Sequence, residues 1–461
     1  MNRPLTTITI ILSLLVFLTA KASNTFTELH TSPKREIRAV WLTTYGGLDW
    51  PKTRVKDDWT RKQQKEELIR MLDGLQAANI NTVLFQARTR GLVAYPSRYE
   101  SFDMVWTGKE GHYPGYDPMQ FVVDECHKRG MECHAWVVCI SQAKIYRSPN
   151  NESTADYLAS ICEEITRRYD IDGISLDYIR YGDGKPKGVS AWQARENITR
   201  IVRRIHDKVK AAKPWVKMSC SPIGKYKETR NLWSKYNAYE RGQDVERWTR
   251  EGLMDIIFPM SYWDGKDFYP WIPQWKQIEN GRIIAPGIGT YFLDYREGRR
   301  TLAEQIAQHN YVRHDAGMGF ALFRAQHLLA NHKGIYDFIK YFCPHPALAP
   351  SIAPNAPKPQ QPQDVTVERG ETKTTISWTP QENTMVNVYA SREWPVDISK
   401  AKNIIALRVK GSQIVIPTGY KLHYAVTTID RYGNESDEIS TAKEKFRSAL
   451  SYRPDNSKSY R

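Results

Sequence analysis

The stretch "YDIDGISLDYIRY", Tyr169 to Tyr181, decides how this chain is read. Its middle, Gly173 to Asp177, has the short apolar texture of a strand covered on both faces. It ends on a carboxylate, Asp177, followed at once by aromatic and basic residues. A charge at the C-terminal end of such a strand is what a parallel α/β barrel uses, because those ends converge on one shared mouth. The plainer alternative is a helix cap or a salt-bridge partner for Arg180 or Arg88. Asp172, ahead of Gly173 at the strand's beginning, reads as a turn residue.

Working outward, strand-like runs alternate with helical periodicity from Arg35 to Cys343, the pattern of parallel strands joined by crossover helices. The strands are expected at 37–45, 82–88, 133–139, 173–179, 216–222, 255–262, 283–291 and 319–325. Helices such as 62–79, 118–130, 151–169 and 301–316 lie between them, and 335–343 closes the count. Eight such pairs predict a (β/α)8 TIM barrel over 35–345. A Pro-rich stretch, 346–363, is expected to be an extended, semi-rigid spacer. From 364 to 446 short period-two strands predict a small all-β sandwich, and Trp378 with "YAVTTIDRYGNES" resembles a fibronectin type III module. The remainder, 447–461, is polar.

At the other end, Met-Asn-Arg followed by "ILSLLVFLTA" and a small-residue stretch has the order of a signal peptide over 1–22, which predicts export to the periplasm or medium. No later run approaches a membrane span. The formal charge is +15, from 66 basic and 51 acidic residues, which favours an anionic polymer or surface as much as plain solubility. The basic residues are spread over helices without the aromatic interleaving of a nucleic-acid site, so no nucleic-acid partner is expected. The six cysteines read as buried free thiols, and their spacing suggests no zinc site. His112, His127 and His134 are too scattered for a ligand set, so neither metal nor cofactor is expected.

Strand ends supply the candidate site. Besides Asp177, they place Gln86, Arg88 and Tyr95 after the second strand, His134 and Trp136 on the third, Arg180 after the fourth, and Tyr262, Trp263 and Asp264 after the sixth. Stacking rings among planar hydrogen-bonding groups suit a sugar, which has apolar faces and an equator of hydroxyls. Glycosidic hydrolysis commonly takes two carboxylates. Asp177 is one candidate and Asp264 the second, with Asp49, Asp103, Glu110 and Asp294 on loops at the same face. The stretch "DGISLDYI" also invites comparison with chitinase-type barrels, whose fourth strand reads DGxDxDxE. Ser175 and Ile179 stand where that motif has its middle Asp and its Glu, which argues against a substrate-assisted chitinase.

Four stretches, 35–51, 81–137, 169–181 and 254–263, resemble the glycosyl hydrolase-like family 10 proteins over nearly the whole barrel. The resemblance implies an exported TIM barrel, often followed by a fibronectin-like module, acting on a polysaccharide such as peptidoglycan glycan strands stripped of their peptides. By matching positions it implicates Asp177, Gln86, Arg88, Tyr262 and Trp263. The chain departs from the family after the fourth strand, where it reads Asp177-Tyr178-Ile179-Arg180-Tyr181 in place of DD-Y-F-Y-P. The expected function is hydrolysis of O-glycosidic bonds, with Asp177 as nucleophile or base kept ionised by Arg88 and Arg180, and Asp264 as acid. The competing expectation is a non-catalytic glycan-binding or wall-associated protein on the same fold.

Overall fold

The computed structural model describes residues 32–140, 147–183, 186, 188–418 and 422–440, so the expected signal peptide and polar tail lie outside the described residues. Strands β1 (Arg38–Leu42), β2 (Thr82–Thr89), β3 (Glu132–Val138), β4 (Gly173–Asp177), β5 (Lys217–Ser221) and β6 (Ile256–Ile257) pair in chain order, all parallel. The seventh position comes as two pieces, β7 (Ile283–Ile284) and β8 (Gly287–Gly289), interrupted at Pro286. Proline has no N–H to give a ladder. β7 pairs with β6, while β8 pairs with β9 (Phe320–Phe323), which returns to β1. The ring therefore closes as the expected (β/α)8 barrel.

Helices α1 (Asp58–Ala77), α2 (Pro118–Lys128), α3 (Glu152–Arg168), α4 (Ala191–Ala212), α5 (Val245–Arg250), α6 (Ile272–Gln277), α7 (Leu302–Asn310), α8 (Ala325–Leu329) and α9 (Ile335–Phe342) connect the strands. Each long one buries a stripe at helical spacing. On α3 that stripe is Ala155, Leu158, Ala159, Cys162 and Ile165. Burying a side chain of Leu or Ile size contributes about 1.5–3 kcal/mol, and the outer cluster is built from such residues, among them Val40, Leu42, Val83, Phe85, Ile174 and Leu176. Strand alternation turns the intervening residues inward. There Ala39, Trp41, Leu84, Trp136, Phe258, Ala285 and Ala321 form a separate cluster inside the ring. By the same parity β4 presents Gly173, Ser175 and Asp177 to the interior. Gly173 is required there, because a Cβ would lie 2.6 Å from Nδ1 of His134.

The C-terminal unit is a two-sheet sandwich. β10 (Gln363–Arg369), β11 (Lys373–Thr379) and β14 (Gln413–Pro417) make one antiparallel sheet. The other has β12 (Thr384–Ser391) between β13 (Ile404–Val409) and β15 (His423–Asp430), with β16 (Ile439–Ser440) at its edge. Ile376, Trp378, Val388, Tyr424 and Val426 fill the space between them.

The sandwich docks against the base of the barrel, opposite the mouth. Arg408 of β13 is buried there, donating to Oε1 of Glu132 at 3.1 Å and to Oδ1 of Asp172. Lys217 also donates to Glu132, at 2.5 Å, and His127 sits 2.8 Å from Asp172. Burial alone would raise both carboxyls. Lys217, His134 and Arg408 outweigh it and hold Glu132 at about 2, while Arg408 and His127 hold Asp172 well below the usual carboxylate range. Asp172 is thus an ion-network residue, more than the turn residue its position suggests. Outside this knot, Lys410 and Arg431 reach Asp170 at 2.6 and 2.5 Å.

The Pro-rich stretch also differs from expectation. Ala347, Leu348 and Ala349 are buried, and Leu348 exchanges backbone hydrogen bonds with Lys34 and Glu36 at 2.8 and 2.9 Å. Ile352 N donates to Tyr432 O at 3.1 Å. The segment straps the two units together, because its backbone finds partners on both, where a solvated spacer finds none. All six cysteines are buried free thiols. Among the described residues no helix is long and apolar enough to cross a membrane.

Candidate active site

A cleft of about 680 Å³ opens at the C-terminal ends of the strands. Asp177, the last residue of β4, is on its floor and only 5% exposed. Its Oδ2 accepts from Trp136 Nε1 at 3.1 Å and its Oδ1 from the Tyr178 backbone N at 2.7 Å. Tyr178 holds a left-handed backbone with φ of 48°, a conformation costing a bulky residue on the order of 1 kcal/mol. The turn gives Asp177 that amide and lays the Tyr178 ring in the cleft wall, 4.6 Å beneath the Arg180 guanidinium. Burial pushes the Asp177 carboxyl up to about 6, against the Tyr178 amide, the nearby Arg180 charge and the Trp136 hydrogen bond.

Aromatic rings make the walls. Trp136, Tyr178, Tyr236, Tyr262, Trp263 and Tyr291 all line the cleft. Tyr262 packs edge-on to Trp41 and Tyr291, with ring centroids at 6.5 and 5.9 Å, which fixes its plane. Burial and the Asp177 charge raise the Tyr262 hydroxyl well above its ordinary range, so it is a neutral hydrogen-bonding group. Such a trough, apolar on its faces with an acid at its floor, binds a ring that has both kinds of surface.

Residues 36–143 and 178–270 match the profile of the family described as glycosyl hydrolase-like 10. The barrel is similar to that family. The chain is 30% identical over 281 residues to "Glycosyl hydrolase YngK" of Bacillus subtilis (strain 168), a match covering 50% of this chain and 54% of that protein. It is 30% identical over 292 residues to "Glycosyl hydrolase DigH" of Escherichia coli (strain K12), covering 49% of this chain and 65% of that one. The chain therefore spans between half and two thirds of the length of these curated relatives. Among solved structures it is similar to the PgaB (BpsB) glycoside hydrolase domain from Bordetella bronchiseptica, with a TM-score of 0.46 and 14% identity over 67% of this chain and 99% of that one. A beta-1,4-mannanase from the sea hare Aplysia kurodai gives a TM-score of 0.42 and 14% identity over 66% and 93%.

Within this barrel the sequence candidates separate. Asp177, Gln86, Trp136, Arg180, Tyr262 and Trp263 line the cleft. Gln86 is more scaffold than contact: its Oε1 accepts from Thr43 Oγ1 at 2.6 Å and from the Thr44 and Tyr45 amides at 2.9 and 2.8 Å. Only its amide NH2 is left for a ligand. Arg180 is tethered to Asp183 and to Tyr181 O, both at 3.0 Å.

Four expectations are corrected. Arg88 does not face Asp177. A register shift between Gln86 and Arg88 breaks the alternation of β2, and Arg88 turns away to a two-point pair with Glu100 at 2.8 and 2.6 Å. Tyr95 is fully buried in the outer core, edge-on to Tyr169. His134 is buried inside the ring two residues below Trp136, 3.1 Å from Glu132, and belongs to the base. Asp264 is exposed, precedes the short turn Gly265–Asp267, and pairs with Arg300 at 3.2 Å outside the cleft lining.

Among the residues absent from the sequence candidates, the cleft lining gains one carboxylate, Glu297, and one guanidinium, Arg324. Glu297 is exposed at the rim of the loop after β8. Arg324 follows β9 and donates to Asp49 Oδ1 at 2.5 Å. Burial raises the Asp49 carboxyl despite that partner. The position of Arg324 at a strand end was a usable signal; the rim position of Glu297 had none.

Proposed function

We propose that this protein is an exported glycoside hydrolase cleaving O-glycosidic bonds of a polysaccharide, with Asp177 as general acid and Glu297 as the second carboxylate. The observation that carries this is the state of Asp177: buried at the floor of a ring-lined cleft, without an ion pair among the described residues, and raised to about 6. A general acid must still hold a proton near neutrality, and a carboxyl raised by burial does. This reverses the role expected from sequence, in which arginines keep Asp177 ionised. Once the proton has passed to the leaving oxygen, the Tyr178 amide, the Arg180 charge and Trp136 Nε1 stabilise the carboxylate that remains.

Glu297 lies on the segment after the seventh strand position, across the ring from β4. From there it activates water or attacks the anomeric carbon, according to the separation of the two carboxyls. Export rests on the N-terminal signal-like order, and the +15 charge favours a glycan bearing carboxylates, as peptidoglycan strands freed of peptide do. One observation favours the non-catalytic alternative: Glu297 is exposed and nothing among the described residues pairs with its carboxylate.

The test is reducing-end release and product mass from a panel of stripped peptidoglycan and other polysaccharides, using wild type, Asp177→Asn and Glu297→Gln. Turnover lost in Asp177→Asn with glycan binding retained supports the hydrolase. Binding without turnover in the wild type selects the binding protein.

A further inference from the structure

We infer that Asp294, His327 and His332 form a binding site for a divalent transition cation of the Zn²⁺ class in the wall of the cleft. One ligand atom from each lies within 4.8 Å of the others. Asp294 Oδ2 stands 3.9 Å from Nδ1 of His327 and 3.6 Å from Nε2 of His332, and the two rings are 5.6 Å apart. These separations are too long for hydrogen bonds. They are close to the spacing of about 3.4 Å between ligands around a tetrahedral zinc with bonds of about 2.1 Å.

Hydrogen bonding does not account for the cluster. His327 is 3% exposed, and neither of its ring nitrogens has a hydrogen-bond partner. A buried imidazole with both nitrogens idle lacks the compensation that buried polar groups ordinarily find. Asp294 uses its other oxygen, Oδ1, to accept from the Arg296 backbone N at 3.0 Å, which aims Oδ2 at the two rings. Two imidazoles and one carboxylate are a donor set for Zn²⁺ and its neighbours rather than for Mg²⁺ or Ca²⁺, which take oxygen.

The three residues come from separate segments. Asp294 ends the turn Thr290–Leu293, His327 is in α8, and His332 opens the turn before α9. His332 is 28% exposed in its side chain, so it has room to close the remaining distance. His327 is also a cleft-lining residue. A cation held there would tie the turn carrying Tyr291 and Phe292 to α8, and its open coordination position would face water or a hydroxyl of a bound ligand. The scattered histidines considered from sequence, His112, His127 and His134, take no part. The inference does not depend on the hydrolase reading.

The experiment is calorimetric titration of the EDTA-dialysed full chain with ZnSO₄, paired with the visible spectrum of the Co²⁺-loaded protein and with melting curves. Saturable binding of one equivalent, weakened at least about tenfold in His332→Ala and in Asp294→Asn, and a Zn²⁺-dependent rise in Tm that both variants lose, are expected. His332 is partly exposed, so its alanine variant should fold, and its Tm in EDTA checks this. Absence of saturable binding in the wild type, or wild-type affinity in the folded His332→Ala protein, overturns the inference.

Discussion

The two ends of the barrel handle buried carboxylates in opposite ways. At the base, Glu132 and Asp172 are surrounded by Lys217, Arg408, His127 and His134 and lie below their ordinary range. At the mouth, Asp177 is as deeply buried, meets only two hydrogen-bond donors and a more distant guanidinium, and rises to about 6. Burial is common to both, so the difference lies in the number of cations in contact. The base uses its acids to bind one part of the molecule to another. The mouth leaves its acid in a state that a substrate can change.

The largest effect expected from breaking this contrast is on turnover. Asp177→Asn should lower kcat/KM by about 10³-fold or more, on the order of 4 kcal/mol of transition-state stabilisation, measured by reducing-end release on the best polysaccharide of the panel. At the base, Arg408→Met takes the shared cation from two buried carboxylates and should destabilise the chain by about 3 kcal/mol, read in urea unfolding, with the cleft's ligand affinity unchanged.

The pH dependence sharpens the same comparison. If Asp177 is the acid, kcat/KM should fall about tenfold per pH unit above about 6; a flat profile to pH 8 would leave it without that role. Stability moves in opposite directions at the two ends. Glu132 lies below its unfolded value, so its contribution is present above about pH 4 and is lost as pH falls through about 2. Asp177 lies above its unfolded value, so the native state binds that proton more tightly and stability is lost as pH rises from about 4 to about 6. Asp177→Asn should therefore melt higher than wild type at pH 8 by the equivalent of about 1–2 kcal/mol, less than the full linkage because the new NH2 faces a donor. The smallest effect is at Asp264, whose exposed pairing with Arg300 makes Asp264→Asn expected to keep activity within about twofold.

Local pattern carried the reading a long way. Strands covered on both faces are short apolar runs, and parity along Gly173–Asp177 is enough to aim Asp177 inward at the mouth. The same parity misplaces Arg88, because a single extra residue in β2 reverses the face and has no signature in composition. Tyr95 and His134 are chemically suited to a sugar but sit in the outer core and at the base, which depth along the strand decides and residue type does not. Glu297, His327 and Arg408 become meaningful only through contacts between segments far apart in the chain. Arg408 meets Asp172 across 236 positions, a separation no local pattern spans.

That last contact has a consequence for anyone who would cut the chain. A barrel expressed without its C-terminal partner would open its base to water and lose the guanidinium that Glu132 and Asp172 share. The two units are expected to unfold together, and a calorimetric scan of the intact protein should show one endotherm where a beads-on-a-string arrangement would give two.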